Sequence, residues 1–119
     1  MALLTVVEPD FIFEDARGKL VQLVHNGFKQ ANYVFSAKGS FRGGHYHKEN
    51  TEYFYVISGS FKILVEMDED REEYIFGAGD MFSVSPMAVH SFSYLEDTQL
   101  IALYDKGVEC QDGTKDIYH

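Results

Sequence analysis

Apolar residues in this chain come in short runs broken by turn residues, and no window of eleven residues holds a convincing 3.6-residue period. The pattern predicts strands over Leu3–Val7, Phe11–Phe13, Lys19–His25, Asn32–Ser36, Tyr53–Ile57, Phe61–Met67, Glu73–Phe76, Met81–Val84, Ser91–Leu95 and Gln99–Tyr104. They recur about every 8–12 residues, the spacing of a sandwich or barrel. Ser58-Gly59-Ser60 reads as a tight hairpin turn between two strong strands, and Gly77-Ala78-Gly79-Asp80 and Leu95-Glu96-Asp97 read as further turns. Nothing resembling a linker, repeat or low-complexity segment interrupts the pattern. The expectation is a single all-β domain over residues 1–119, closed into a barrel or double sheet that hides its strand edges.

Composition supports that picture. A chain of 119 residues has room for one domain with a real core, and 10 Phe and 8 Tyr against no Trp favour strands. The longest apolar run, Tyr53 to Ile57, is far short of the roughly 20 residues a membrane helix needs. The opening MALLTVVEPD lacks the basic start of a secretory signal. Cys110 stands alone, which rules out an intrachain disulfide and suits a reducing cytoplasm. The thiol itself reads as incidental.

Charge narrows the partners. The net charge is −9, and residues 63–119 carry three Lys/Arg against thirteen Asp/Glu. Such a half repels nucleic-acid backbones and anionic membranes, so neither is expected as a partner. The run Asp68-Glu69-Asp70-Arg71-Glu72-Glu73 reads as a solvated loop.

Histidines carry the candidate chemistry. His25 and His119 read as ordinary core or surface residues. In His45-Tyr46-His47 the two imidazoles would project from one face of a strand. Glu52 opens the apolar run Tyr53-Phe54-Tyr55-Val56-Ile57, so its carboxylate should be partly buried and in need of a cation. His90 follows Pro86 near the start of another strand and offers a third imidazole. Three imidazoles and a carboxylate suit one divalent transition metal, Mn, Fe, Ni, Co or Zn, and fit Mg or Ca poorly.

At these residues a resemblance becomes specific. Gly39 to Gly59 reads G-x5-H-x-H-x4-E-x6-G and resembles the first motif of the cupin superfamily at every fixed position. Gly79 to His90 resembles the second, with Pro86 shifted by one, Met87 where glycine is usual, and Tyr94 where asparagine is usual. The resemblance implies a double-stranded β-helix, or jelly-roll barrel, with the site in its mouth. It also implies a homodimer, for which the apolar opening Leu3-Leu4-Thr5-Val6-Val7 would suit strand pairing between subunits, though an ordinary barrel strand fits it equally.

Two shorter segments narrow the substrate. Asp15-Ala16-Arg17-Gly18 resembles the D-x-R-G segment of nucleotide-sugar cupins. Arg42-Gly43-Gly44-His45-Tyr46 resembles a stretch of dTDP-keto-deoxysugar 3,5-epimerases and 3,4-ketoisomerases, and of C-terminal cupin domains that make capsular deoxy-aminosugars. That likeness implies His45 as a base next to a sugar ketone, with Arg42 and Arg17 holding a diphosphate. Among the strand tyrosines Tyr33, Tyr53, Tyr55, Tyr94 and Tyr104, Tyr94 shares the parity of His90 and Phe92 and is the candidate proton donor.

The two implications compete, because a metal-bound imidazole nitrogen cannot also accept a proton. The leading expectation is a metal-binding sugar isomerase or epimerase whose small-molecule substrate is a sugar or sugar nucleotide. A metal-dependent oxygenase and a non-catalytic cupin that binds a sugar or other small ligand are the alternatives.

Overall fold

A computed structural model describes residues 2–119. Eleven strands follow in chain order: β1 (Leu4–Val6), β2 (Phe11–Asp15), β3 (Gly18–Gln22), β4 (Gln30–Ser36), β5 (Phe41–His45), β6 (Glu52–Ser58), β7 (Ser60–Met67), β8 (Asp70–Gly77), β9 (Met81–Val84), β10 (Val89–Tyr94) and β11 (Thr98–Tyr104). A five-stranded sheet in the order β1-β9-β6-β11-β4 packs on a four-stranded sheet in the order β5-β10-β7-β8. All pairings are antiparallel, and β2 and β3 form a separate two-stranded sheet. None of the described elements is a helix, so none is a helix able to cross a membrane.

From β5 to β11 the chain switches sheets at every connection but one, the β7–β8 hairpin. Ser58-Gly59-Ser60 is therefore no hairpin turn: it carries the chain from β6 in one sheet to β7 in the other. Gly59 has φ +94, and a Cβ there would meet the Asp97 carbonyl at 2.3 Å, so the corner admits no side chain. The turns at Gly77–Asp80 and after Leu95 are likewise corners between sheets.

Alternation decides what lies between the sheets. On β6, Glu52, Phe54 and Val56 point inward, and on β10 His90, Phe92 and Tyr94 do. Phe61, Ile63 and Val65 of β7 and Phe82 of β9 complete the core, each fully buried. Phe82 stacks on Phe76 with centroids 4.4 Å apart and on Phe54 at 5.0 Å. Such aromatic contacts add to the burial itself.

Two readings need correction and one open choice is decided. The acidic run is a loop only at its start, because from Asp70 onward it belongs to β8, and the Glu72 carboxylate accepts the backbone N–H of Leu3 and Leu4. Of the two readings of the opening segment, the ordinary barrel strand holds, since β1 pairs with β9 of its own chain. Strand β5, which the apolar pattern omits, forms despite two glycines. Gly43 is required there: a Cβ would lie 2.3 Å from the Ser91 Cα, so only glycine lets β5 approach β10. That approach sets His45 opposite His90.

Candidate functional site in the barrel mouth

The four residues of the sequence motif converge. His45 ends β5, His47 lies two residues beyond it in a loop, Glu52 opens β6 and His90 sits near the start of β10. The i, i+2 strand geometry expected of His45 and His47 is absent, since the strand stops at His45. Their rings nonetheless lie 5.8 Å apart, and His45 and His90 are 4.6 Å apart. One nitrogen from each of His45, His47 and His90 lies within 4.8 Å of the other two.

The buried members hold one another. His47 Nε2 donates to Glu52 Oε1 at 3.0 Å, and its Nδ1 donates to the main-chain carbonyl of Asp116 at 2.6 Å. Both ring nitrogens therefore face oxygens that accept, an arrangement that favours the imidazolium. Burial opposes that charge, but the bonds to Glu52 and to the Asp116 carbonyl outweigh it and raise the His47 pKa. Burial likewise opposes the Glu52 charge, and the two neighbouring imidazoles overcome it and hold the carboxyl below its usual range. The pair is a buried ion pair, at 3% and 4% exposure.

His90 donates from Nδ1 to the Ala88 carbonyl at 3.1 Å. Its Nε2 is buried, 3.3 Å from the same Glu52 oxygen, and lacks the alignment of a hydrogen bond. A buried nitrogen without a partner is uncommon. In both His47 and His90 a backbone carbonyl occupies Nδ1 and leaves Nε2 facing the centre, the arrangement metal-ligating histidines use. The residues thus fit a divalent transition metal.

His45 differs from the other two. It is half-buried and receives no side-chain hydrogen bond among the described residues. Burial, then the neighbouring His90, lowers its pKa to about 4, so the imidazole is neutral at physiological pH.

A cavity of about 230 Å³ opens beside it, lined by Arg42, His45, Glu52, His90, Tyr94 and Tyr104, among others. The Arg42 guanidinium is steered by bonds from Nε to Ser36 Oγ at 2.8 Å and from Nη2 to the Phe35 carbonyl at 3.2 Å. Burial raises the pKa of both tyrosines, and the Glu52 charge raises Tyr104 further, so each hydroxyl keeps its proton. Arg17 is not part of this cavity. It is exposed at the β2–β3 turn, paired at 2.6 Å with Asp15 of the same hairpin.

Three site residues were invisible in the sequence. Asp116, Ile117 and His119 belong to a C-terminal strap that folds back over the mouth, bridging Tyr118 to Tyr46. Ile117 lines the cavity, and the exposed His119 ring lies 6.3 Å from that of His45. No local pattern marks them, because their partners lie some 70 residues away in the chain.

Two antiparallel sheets closed around an aromatic core, with the histidine cluster at one end, define a cupin jelly roll. The chain also matches the model of the polysaccharide biosynthesis C-terminal domain over residues 13–107, and it belongs to that family.

Solved structures agree on the fold. A mutant of the 3,4-ketoisomerase QdtA from Thermoanaerobacterium thermosaccharolyticum, bound to TDP-4-keto-6-deoxyglucose, is 15% identical with a TM-score of 0.80, over 99% of this chain and 88% of that one. The TDP-quinovose 3,4-ketoisomerase WlaRB from Campylobacter jejuni is 17% identical with a TM-score of 0.80, over 98% and 94%. The RmlC 3,5-epimerase from Legionella pneumophila, bound to dTDP-4-keto-L-rhamnose, is 20% identical with a TM-score of 0.73, over 88% and 68%. No curated protein matches the chain.

Proposed function

We propose that this chain isomerises or epimerises a nucleotide-linked keto-sugar by enolisation in the barrel mouth. The observation that carries the reading is His45, a neutral imidazole without a hydrogen-bond partner, lining a cavity beside a steered arginine. Its ring nitrogen removes the proton from the carbon next to the ketone. The C–H electrons form the enolate, and the negative charge on its oxygen is met by Arg42 and by the hydroxyl of Tyr94. Inversion follows when a second donor on the opposite face, the Tyr94 hydroxyl or a water, protonates the same carbon while the His45 proton returns to solvent. Where that carbon carries a hydroxyl, its proton passes to the former ketone oxygen and the His45 proton returns at the former ketone carbon, which moves the ketone. The similar enzymes bound to TDP- and dTDP-keto-sugars support this substrate class.

At about 230 Å³ the cavity is smaller than the roughly 300–1,000 Å³ of drug-sized pockets, so it accommodates a sugar ring and leaves the nucleotide outside. A second copy of the chain supplies the missing wall. Phe11, Ile12, Phe13 and Leu20 of the β2–β3 hairpin are about half exposed, and an isolated two-stranded hairpin is marginal in water. Docking that hairpin on a partner subunit buries these side chains and brings Arg17 towards the partner's diphosphate.

The test is proton NMR in heavy water with TDP-4-keto-6-deoxyglucose. Deuterium entering next to the ketone, lost in a folded His45→Ala variant, is the expected result. Absence of both exchange and product overturns the reading for this substrate class.

A second reading has its own support. The unpartnered His90 Nε2 and the clustered imidazoles suit a divalent transition metal held by His45, His47, Glu52 and His90. When bound, such a metal supplies Lewis-acid polarisation of a carbonyl, and His45 then serves as ligand rather than base. Near-stoichiometric metal in tag-free protein, lost in Glu52→Ala, favours this arrangement. Metal-free protein in both samples leaves His45 as the base.

A further inference from the structure

We propose that Asp116 is a positioning residue for His47, and that the C-terminal strap is a working part of the site. The strap lies beyond residues 13–107, over which the chain matches its family. Its central residue makes two kinds of contact. The Asp116 main-chain carbonyl receives the His47 Nδ1 proton at 2.6 Å, which leaves Nε2 as the nitrogen facing Glu52. The Asp116 carboxylate receives the backbone N–H of Lys48 at 2.8 Å, of Glu49 at 3.0 Å and of Asn50 at 3.1 Å, and the Asn50 side-chain amide at 2.8 Å.

Four donors on one carboxylate weld the strap to the loop that joins His47 to Glu52. Both partners are buried, Asp116 at 2% exposure and Asn50 at 1%. Asn50 extends the weld, since its side chain also bonds the Gly107 carbonyl and the Lys106 N–H. The side chain of Asp116 thus fixes where its own carbonyl sits, and that carbonyl fixes the ring of His47. Without the carboxylate, the loop's N–H groups lose their acceptor and the carbonyl is free to leave Nδ1. His47 then has no fixed ring orientation, and Glu52 loses an oriented donor.

The inference about His47 stands on geometry, and its consequence for turnover rests on the proposed isomerisation. The test separates the two. In chain labelled with 15N-histidine, long-range imidazole spectra report which ring nitrogen of His47 carries a proton. Wild type is expected to show a slowly exchanging Nδ1 proton, and a His47 lacking it overturns the inference outright. Asp116→Asn keeps the volume but turns an amide NH₂ towards donors, and should speed exchange of that proton by at least tenfold. Asn50→Ala removes one of the four bonds and should act in the same direction, more weakly.

If a folded Asp116→Asn leaves the His47 Nδ1 proton unchanged, Asp116 is only a structural tether and the proposal fails. Turnover of TDP-4-keto-6-deoxyglucose gives the second readout. Per folded molecule, kcat should fall at least tenfold with KM little changed, while Phe76→Leu, a core truncation on β8 away from the mouth, lowers stability and spares kcat. Equal loss in both variants overturns the positioning role. A wild type inactive on this sugar counts against the isomerase reading alone, and the spectra still decide the inference.

Discussion

The two ends of the barrel interior are built from the same strands and behave as opposites. Along β6 the inward face runs from Glu52 at the mouth to Phe54 and Val56, where Phe76 and Phe82 pack. At one end, aromatic rings stack in a dry core that needs only shape. At the other, each buried polar group needs a specific partner, and strands alone do not supply it. His47 and Asp116 come from loops, and the Ala88 carbonyl that holds His90 lies in a turn before β10. Alternation delivers a side chain to the interior, whereas long-range loop contacts decide its charge and tautomer.

Two truncations test the contrast with the largest effects. Phe82→Ala removes a fully buried ring and should cost about 3–5 kcal/mol in urea unfolding. Glu52→Ala leaves the His47 charge uncompensated, and a broken buried pair also costs about 3–5 kcal/mol. Their pH dependence should differ. The lowered Glu52 pKa contributes stability above the unfolded value near 4.5, lost as pH falls through the folded value. The raised His47 pKa contributes stability below 6.5, lost as pH rises through its folded value. The Glu52→Ala deficit should therefore peak between about 4.5 and 6.5, while the Phe82→Ala deficit stays flat. Equal pH profiles would mean that no ion pair forms.

His45→Ala should separate function from fold. Loss of a general base lowers kcat by about 10²–10⁴, with little change in stability at pH 7. The His45 pKa is depressed to about 4, so its folded-state neutrality stabilises above 6.5 and is lost as pH falls from there to about 4. The variant should therefore lose less stability than wild type over that interval. By the same logic the acid limb of kcat/KM in wild type should lie near 4 rather than near the ordinary histidine value.

How legible these ends were from sequence follows from their physics. The dry end was legible because period-two alternation encodes it locally, and each predicted strand overlaps one in the structure. Strand β5 escaped because Gly43 and Gly44 read as a turn, although their role is to admit β10 at close range. His45, His47, Glu52 and His90 were legible as a set through fixed spacing. The misread Ser58–Ser60 corner shows why topology was harder: a glycine at positive φ signals a bend, not which sheet the next strand joins. Asp116, Ile117 and His119 carry no local signal, because their roles exist only after the strap closes.

Arg42→Ala gives a smaller effect. Its guanidinium is held by Ser36 and Phe35, and hydrogen bonds to charged groups contribute about 1.5–3 kcal/mol each. On the proposed keto-sugar substrate kcat/KM should fall by roughly 10–100-fold. Arg17→Ala should leave the isolated hairpin's stability nearly unchanged, since its ion pair with Asp15 is exposed. Any loss of affinity for the nucleotide portion would then report the partner subunit's cavity.

Met87 gives the smallest and most discriminating case. It stands at φ +74, a left-handed conformation that costs a side-chain-bearing residue about 1–2 kcal/mol. The turn around it matters to the polar end: its N–H donates to the His47 carbonyl at 2.7 Å, and the next residue's carbonyl holds His90. The resembling cupin motif has glycine at this position. Met87→Gly relieves the strain but adds about 0.5–1 kcal/mol of unfolded-chain entropy, so the net gain should be under about 1 kcal/mol, read as a rise of a few degrees in Tm. Because glycine adopts this backbone readily, His90 should keep its bond to Ala88 and kcat should hold. Met87→Val should do the reverse, since a β-branched residue tolerates positive φ worst. If Val is neutral, the turn is not strained, and the polar end is held by its hydrogen bonds alone.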